Sequence, residues 1–460
     1  MLGDVLGIMQ GGKSGGTLAT VKIDMPSIWS DIERSLHNSQ TASERSFRDD
    51  VVAGRVSSPF NSIRLFNGEK EDDVRVTLYR DSASWCPYCQ KVWTMLEQKE
   101  VSYKVVKVNM RCYGSKPPEF LRLQPNGNIP VAVIDGTVYK QSNDIMFALE
   151  ELFPDKVAMG LREKEAERGT QLLRLERELF RAWMYYLTGS RDPERYKAEF
   201  LAVFKKVNDE LGVPESNTGF MLGDRVSIVD MMFAPFLERM IASMAYFKAL
   251  NNLRSDEFKN VQRWFEAMES LPSYRLTKSD FYTHVWDLPP QLGGCVFEDE
   301  GELTKAIDGD VGWRLPLSAD NGGAEKDWSW INEDKARREA VERLSYNHGA
   351  VAEFAARGAG KAGFPPVSAP LADPNANFDE SAVNSVDAAL GLACYKLLGK
   401  GDEKTAELEE AIAEVLAGGG VESFNASLAY LRDRVGVPRD MSLPAARWTR
   451  AVLNEIMITL

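Results

Sequence analysis

The residues whose types and spacing could do chemistry are the two cysteines of Trp85-Cys86-Pro87-Tyr88-Cys89-Gln90. The run before them, Val74-Arg75-Val76-Thr77-Leu78-Tyr79, is rich in β-branched and aromatic residues and reads as a buried strand. The run after them, Lys91-Val92-Trp93-Thr94-Met95-Leu96, reads as a helix, with Val92, Leu96 and Lys99 at helical spacing. Pro87 suits the first turn of that helix, where its missing N–H costs nothing. Cys86 then falls at the N-cap, where unpaired amides and the positive end of the helix dipole favour a thiolate over a thiol. A cysteine so placed is a nucleophile near neutral pH. Cys89, one turn on, can form a disulfide with it or resolve a mixed one. Three plainer uses of the pair compete: half of a zinc site, a structural disulfide, or two buried inert thiols. Cys112, Cys295 and Cys394 form no second pair, and His37, His284 and His348 show no finger spacing, so no metal is expected. Five cysteines in 460 residues are too few for a disulfide scaffold.

The rest of the chain must position this pair. Its 460 residues exceed one ordinary domain and predict two or three. Hydrophobic and aromatic contents of 44% and 10% allow sizeable cores. A net charge of −13 argues against nucleic acid and anionic membrane surfaces as partners. No apolar run approaches a bilayer span, so no transmembrane segment is expected. Few cysteines and a thiol motif point to a soluble protein of a reducing intracellular compartment, cytoplasm or plastid stroma. Residues 1–70 read as a partly disordered extension without a secretory signal, with Met1–Thr20 mobile and a short helix around Ser27–Leu36.

After the cysteine helix, Val101–Val108 reads as a second strand, parallel to the first because a helix crosses between them. Lys116-Pro117-Pro118-Glu119-Phe120-Leu121 starts a short helix, and Pro125-Asn126-Gly127-Asn128 is a turn. Val131–Ile134 and Val138-Tyr139 form a hairpin across Asp135-Gly136. Ser142 is positioned to cap a helix from Asp144 to Leu152. This order resembles the thioredoxin-like N-terminal domain of the glutathione S-transferase superfamily, nearest its omega-type and glutaredoxin-like members with Cys-Pro-Tyr-Cys. The resemblance covers residues 74–153. It implies Cys86 and Cys89 as catalytic residues and glutathione as co-substrate. It also implies glutathione contacts from Tyr88, Lys116, Ile129, Pro130, Gln141 and Ser142, with Ile129-Pro130 as the family's cis-proline step. Gln141 stands where the family more usually has Glu.

Residues 160–288 are helical in pattern. Leu172, Leu173, Leu175, Leu179, Trp183 and Leu187 form one apolar stripe, and Phe200, Phe204, Val207 and Leu211 another. Ser227 and Asp230 form a capping box, a structural feature of the superfamily's C-terminal domain by the same resemblance. Arg181, Trp183, Met184 and Tyr185 are candidates to line a second-substrate site, though such a stripe also suits plain core. Residues 289–326 read as a linker. Residues 327–460 read as an additional helical bundle: Trp328–Arg357, helices marked by Val386–Leu397 and Phe424–Val435, and a last one from Ser442 to Leu460. Cys394 is expected to be packed and inert, and His348 to sit in a loop or at a helix C-cap.

The fold class expected is thus α/β, a thioredoxin-like domain (β-α-β-α-β-β-α) over 71–155, followed by an all-α transferase domain over 160–288 and the extra helical bundle. The function expected is a glutathione-dependent thiol transferase: thiol–disulfide exchange, deglutathionylation or dehydroascorbate reduction through a Cys86 mixed disulfide. Its partners would be glutathione and a disulfide, glutathionylated or small oxidised substrate, with a homodimer and a protein partner for 327–460 as further options. The competing readings are a non-catalytic adaptor of the same fold and a glutathione-independent disulfide reductase.

Overall fold

A computed structural model describes residues 20–213, 219–223, 225–298, 301–399 and 402–460. The mobile stretch expected at Met1–Thr20 lies, but for its last residue, outside them. Helices α1 (Met25–Ser39) and α2 (Ala42–Val52) come first, and α1 contains the short helix expected at Ser27–Leu36. Asp24 accepts the Ser27 N–H to start α1, and Thr41 with Glu44 forms a capping box for α2.

The mixed sheet follows: β1 (Ile63–Arg64), β2 (Val76–Asp81), α3 (Pro87–Lys99), β3 (Tyr103–Val108), α4 (Pro118–Leu123), β4 (Val131–Ile134), β5 (Thr137–Tyr139) and α5 (Ser142–Leu152). Strand order is β1-β3-β2-β4-β5, with β2 and β3 parallel and the other pairs antiparallel. Central β2 registers Leu78 against Val105 and Ala132, and Val76 and Leu78 are buried. Burial of such a side chain contributes about 1.5–3 kcal/mol, which fixes the strand's face. Strand β1 was not expected; two residues carry no alternation to read. Gln141, not Ser142, is the N-cap of α5, and Ser142 is its first residue.

An all-helical layer packs on this unit: α6 (Ala166–Thr188), α7 (Pro193–Leu211), α8 (Ile228–Lys248), α9 (Lys259–Glu269), α10 (Pro272–Thr277) and α11 (Phe281–Leu292). Sheet and helices share one core running from Val76 and Trp93 to Trp264 and Leu288. The Ser227–Asp230 box opens α8; the buried Asp230 carboxylate also accepts from Met221 N–H and the Trp264 indole, both at 2.9 Å. Residues 289–326, expected as a linker, carry α12 (Glu302–Ile307) and bury Ile307 and Trp313 in the same core.

A second core gathers α1 with α13 (Glu333–Ser345), α14 (His348–Ala356), α15 (Glu380–Leu398), α16 (Asp402–Ala417), α17 (Val421–Arg434) and α18 (Leu443–Thr459). The helix expected over Trp328–Arg357 is two, broken at Tyr346-Asn347, where Asn347 takes the N-cap of α14. His348 therefore opens a helix rather than ending one. It stacks on Trp29 at 4.0 Å and pairs with Asp387 at 2.6 Å, fastening α1 to the bundle. Cys394 is fully buried, and burial raises its pKa.

Candidate active site

Strand β2 ends at Asp81, and a short loop carries the chain to Cys86 at the N-cap of α3, with Pro87 in the first turn as the sequence predicts. The buried Asp81 carboxylate accepts the N–H groups of Trp85 (2.5 Å) and Cys86 (3.0 Å) and so fixes the loop. The Cys86 sulfur makes no capping hydrogen bond to its own helix. Cys89 lies one turn deeper; burial and donation to Cys86 push its thiol well above the usual value. All five cysteines are free.

A cleft of about 1120 Å³ opens beside Cys86. It brings together every other sequence-derived contact: Tyr88, Lys116, Ile129, Pro130, Gln141 and Ser142 all line it. The Ile129–Pro130 peptide is cis. Lys116 donates to the Asn109 carbonyl, and its stem lies against Gly127, where a Cβ would stand 3.1 Å from Cδ. Gly127 also has φ +71°, so both its backbone and its missing side chain are needed here. Burial lowers the Lys116 pKa, while Cys89 and Cys86 pull it back up. At the other side, α5 presents its N-terminal turn, with Ser142, Asn143 and Asp144 at the cleft. Ser227 and Asp230 do not line it; they are buried at the start of α8.

Several groups that sequence reading missed complete the walls. Lys91, one turn beyond Cys86 on α3, is buried and donates to Asn143 Oδ1 at 2.5 Å. Burial pushes its pKa down to about 8, against the pull of Glu176. Helix α6 faces the cleft with Glu176, Arg177, Phe180, Trp183 and Met184, a helical stripe. Of the four candidates there, Trp183 and Met184 line the cleft, whereas Arg181 is exposed and Tyr185 stacks on Tyr196. Glu176 pairs with Arg177, and burial raises its pKa.

Behind the thiols lies a buried polar network. Arg239 donates to Gln90 Oε1 (2.9 Å) and to the Trp85 carbonyl, with its guanidinium 4.6 Å from the Trp85 ring. Glu238 accepts from Gln90 Nε2 at 3.0 Å and faces His284 Nε2 at 3.4 Å. Burial alone would raise the Glu238 pKa, but His284, Arg239 and Gln90 lower it. His284 Nδ1 accepts from the Trp85 indole at 3.1 Å. Burial and Arg239 push the His284 pKa down to about 4, so the ring is neutral near pH 7, its proton assigned by this network to Nε2. The available signal was Glu238-Arg239 interrupting the apolar run of α8. Among the described residues no group of three His, Cys, Asp or Glu side chains is placed to hold a metal ion. No described helix is long and apolar enough to cross a membrane.

Comparison with known proteins agrees with this geometry. The model for the glutathione S-transferase N-terminal domain matches residues 85–152, and that for the C-terminal domain matches residues 194–267. The chain is 26% identical over 209 residues to glutathione S-transferase DHAR3, chloroplastic, of Arabidopsis thaliana, covering 45% of this chain and 75% of that protein. It is 23% identical over 214 residues to the disulfide-bond oxidoreductase YfcG of Escherichia coli, covering 41% and 88%. It is 30% identical over 156 residues to the stringent starvation protein A homolog of Haemophilus ducreyi, covering 33% and 70%. Residues 85–152 and 194–267 thus carry, in succession, the N- and C-terminal domains of the glutathione S-transferase superfamily, on a thioredoxin-like sheet followed by a helical layer.

Proposed function

We propose that this protein is a glutathione-dependent thiol transferase of the omega-type, glutaredoxin-like kind, with Cys86 as nucleophile. The observation that carries the reading is the convergence on one cleft of Cys86 at a helix N-cap, the cis Ile129–Pro130 step, Lys116 and the N-terminus of α5. A helix N-terminus with free amides suits a carboxylate, and Lys116 suits a second one, so the two ends of glutathione have complementary partners. The printed functions of the Arabidopsis and Escherichia relatives support the same class of chemistry.

In the proposed cycle the Cys86 sulfur attacks the glutathione sulfur of a mixed disulfide. A Cys86–glutathione disulfide forms, and the substrate sulfur leaves and takes a proton. A second glutathione, as thiolate, then attacks the bound glutathione sulfur, giving oxidised glutathione and regenerating Cys86. The raised pKa of Cys89 keeps it a thiol, which favours release by glutathione over an internal disulfide. Thiol transfer and deglutathionylation are outcomes of this exchange. Dehydroascorbate, which carries no sulfur, would instead take two electrons and two protons from the thiols of Cys86 and a first glutathione, giving ascorbate and the Cys86–glutathione disulfide. It would share only the closing step, attack by a second glutathione.

Mass spectrometry after treatment with oxidised glutathione tests the proposal. Wild type and Cys89→Ser should each gain one glutathione, and Cys86→Ser none. A Cys86→Ser protein with full thiol transferase activity would overturn it.

A further inference from the structure

Helix α11 has two sets of partners. On the cleft side, His284 holds the Trp85 indole, and Leu288, Gln291 and Leu292 line the cavity. Asp287 Oδ1 accepts from the Tyr113 hydroxyl at 2.6 Å, and Gln291 Nε2 donates to Cys112 Sγ at 2.6 Å. These two bonds tie α11 to the Arg111–Tyr113 turn, which leads into the Lys116 side of the cleft.

On its other side α11 belongs to the bundle. Asp280, its N-cap, accepts from Thr283 N–H at 3.0 Å and from Arg450 of α18 at 3.1 Å, and both charged side chains are 1% exposed. Arg450 also donates to the Val435 carbonyl at 2.6 Å and lies over the Tyr282 ring at 4.5 Å. The segment joining α17 to α18 runs along the first turn of α11. Tyr282 donates to the Asp433 carbonyl (2.9 Å), Val437 N–H to Thr283 Oγ1 (3.1 Å), and Ser279 to the Val437 carbonyl. A second arm reaches the turn: Ala369 N–H donates to the Cys112 carbonyl at 3.2 Å, and Arg439 holds the Leu371 carbonyl at 3.2 Å. Ala369 and Leu371 are buried in the first core.

A buried ion pair adds little stability over an apolar pair of the same volume, but it admits few alternative arrangements. Asp280–Arg450 is such a pair, placed where the bundle meets the helix that walls the cleft. We propose that the C-terminal bundle is a brace for this wall, with Arg450 and Arg439 as positioning residues that set α11 and the Arg111–Tyr113 turn for the second substrate. The inference rests on the thiol transferase reading for its substrate, but the brace has a readout of its own.

The test compares wild type with Asp280→Asn/Arg450→Met, which removes both charges together, by hydrogen exchange and by steady-state kinetics with glutathione and bis(2-hydroxyethyl) disulfide. Exchange should quicken about tenfold in 284–292 and 110–116 while 87–99 stays within about twofold. KM for the disulfide should rise about fivefold, with a smaller rise in KM for glutathione because 110–116 includes Lys116, and with the rate of Cys86 alkylation by iodoacetamide little changed. Tyr282→Phe, which deletes the hydroxyl that α11 donates to the Asp433 carbonyl of the bundle, should give the same local pattern at smaller size and serves if the double variant does not fold. Unchanged exchange in both segments, or a rise spread evenly over the chain, overturns the brace. A wild type without thiol transfer overturns the functional reading instead and leaves the exchange pattern to decide the brace.

Discussion

The two cores differ in what they are made of and in what they can therefore do. The first is built from large, irregular side chains, with Trp93, Trp183, Phe200, Phe204, Phe233 and Trp264 all buried. The second contains a seam of small ones among its leucines and isoleucines: Ala352, Ala355 and Ala356 of α14 meet an α15 that buries Ala382, Ala388, Ala389 and Ala393. Helix separation follows the side chains between the axes, so alanine faces allow close approach. The buried titratable groups divide the same way. Asp81, Lys91, Glu176, Glu238, Arg239, His284 and Asp287 surround the cleft of the first core. Around the second, most charges pair at the rims, as in Lys396–Glu455, Arg338–Glu44 and Lys404–Asp31, while the buried Arg447 and Arg450 of α18 pair with Asp327 and Asp280. A region of large side chains and stranded charge is suited to chemistry; close-packed alanine helices are suited to holding a shape.

The largest expected break in this contrast is a cavity in the first core. Phe204 is fully buried, with its ring 5.0 Å from that of Phe258 and 5.7 Å from that of Phe200. Phe204→Ala should cost about 3–5 kcal/mol in urea unfolding. A loss under about 1 kcal/mol would mean that the large-residue core collapses as readily as an alanine seam.

Next in size is a pH effect specific to the cleft side. Burial pushes the Asp287 carboxyl up to about 7, and its Oδ2 has no hydrogen-bond partner. The folded protein thus keeps a proton that the unfolded chain loses near pH 4. The stability Asp287 contributes is complete below that value and is lost as pH rises through 7, at roughly 1.4 kcal/mol per unit. Asp287→Asn removes this slope. The variant should match wild type at the acid end and gain on it steadily toward neutrality, read by urea unfolding across the range. His284, pushed down to about 4, contributes the opposite slope below its unfolded value, so only the difference between the two proteins isolates Asp287. Equal slopes would remove the buried carboxyl from the account.

Much of this contrast was legible in the sequence on one side and little on the other. The thiol helix, the cis-proline step and the hairpin are local signals, each carried by two to six adjacent residues, and they fell where expected. Lys91, Glu176, Arg239 and His284 reach the cleft from α3, α6, α8 and α11, and no local pattern joins them. The place of α1 was equally hidden. Its partners are more than 300 residues away, as in Trp29 donating to Asp387 at 3.0 Å. An N-terminal stretch whose apolar face is completed only by the other end of the chain reads as an extension. The break at Tyr346-Asn347 was missed because both flanking segments are good helix formers, and only the turn of the chain separates them.

The seat of α1 gives the finest test of the close-packed region. Gly391 lies under it on α15, and a Cβ there would stand 3.4 Å from Ile28 Cγ2, 3.5 Å from Met25 Cε and 3.9 Å from Ile32 Cδ1. Those are ordinary contacts, so Gly391→Ala fits and also gains helix propensity, up to about 1 kcal/mol. Gly391→Leu must push α1 outward and should cost about 1–3 kcal/mol. The opposite signs of the two variants mark close packing, because a loosely filled site would accept leucine and gain from it. The loss should also be local. Hydrogen exchange should quicken in 25–39 while α3 and the cleft walls hold, since the bundle meets α11 through α18 and the 433–437 segment rather than through α1. Were the cleft walls to loosen as well, the N-terminal helix would belong to the same clasp that holds the catalytic side.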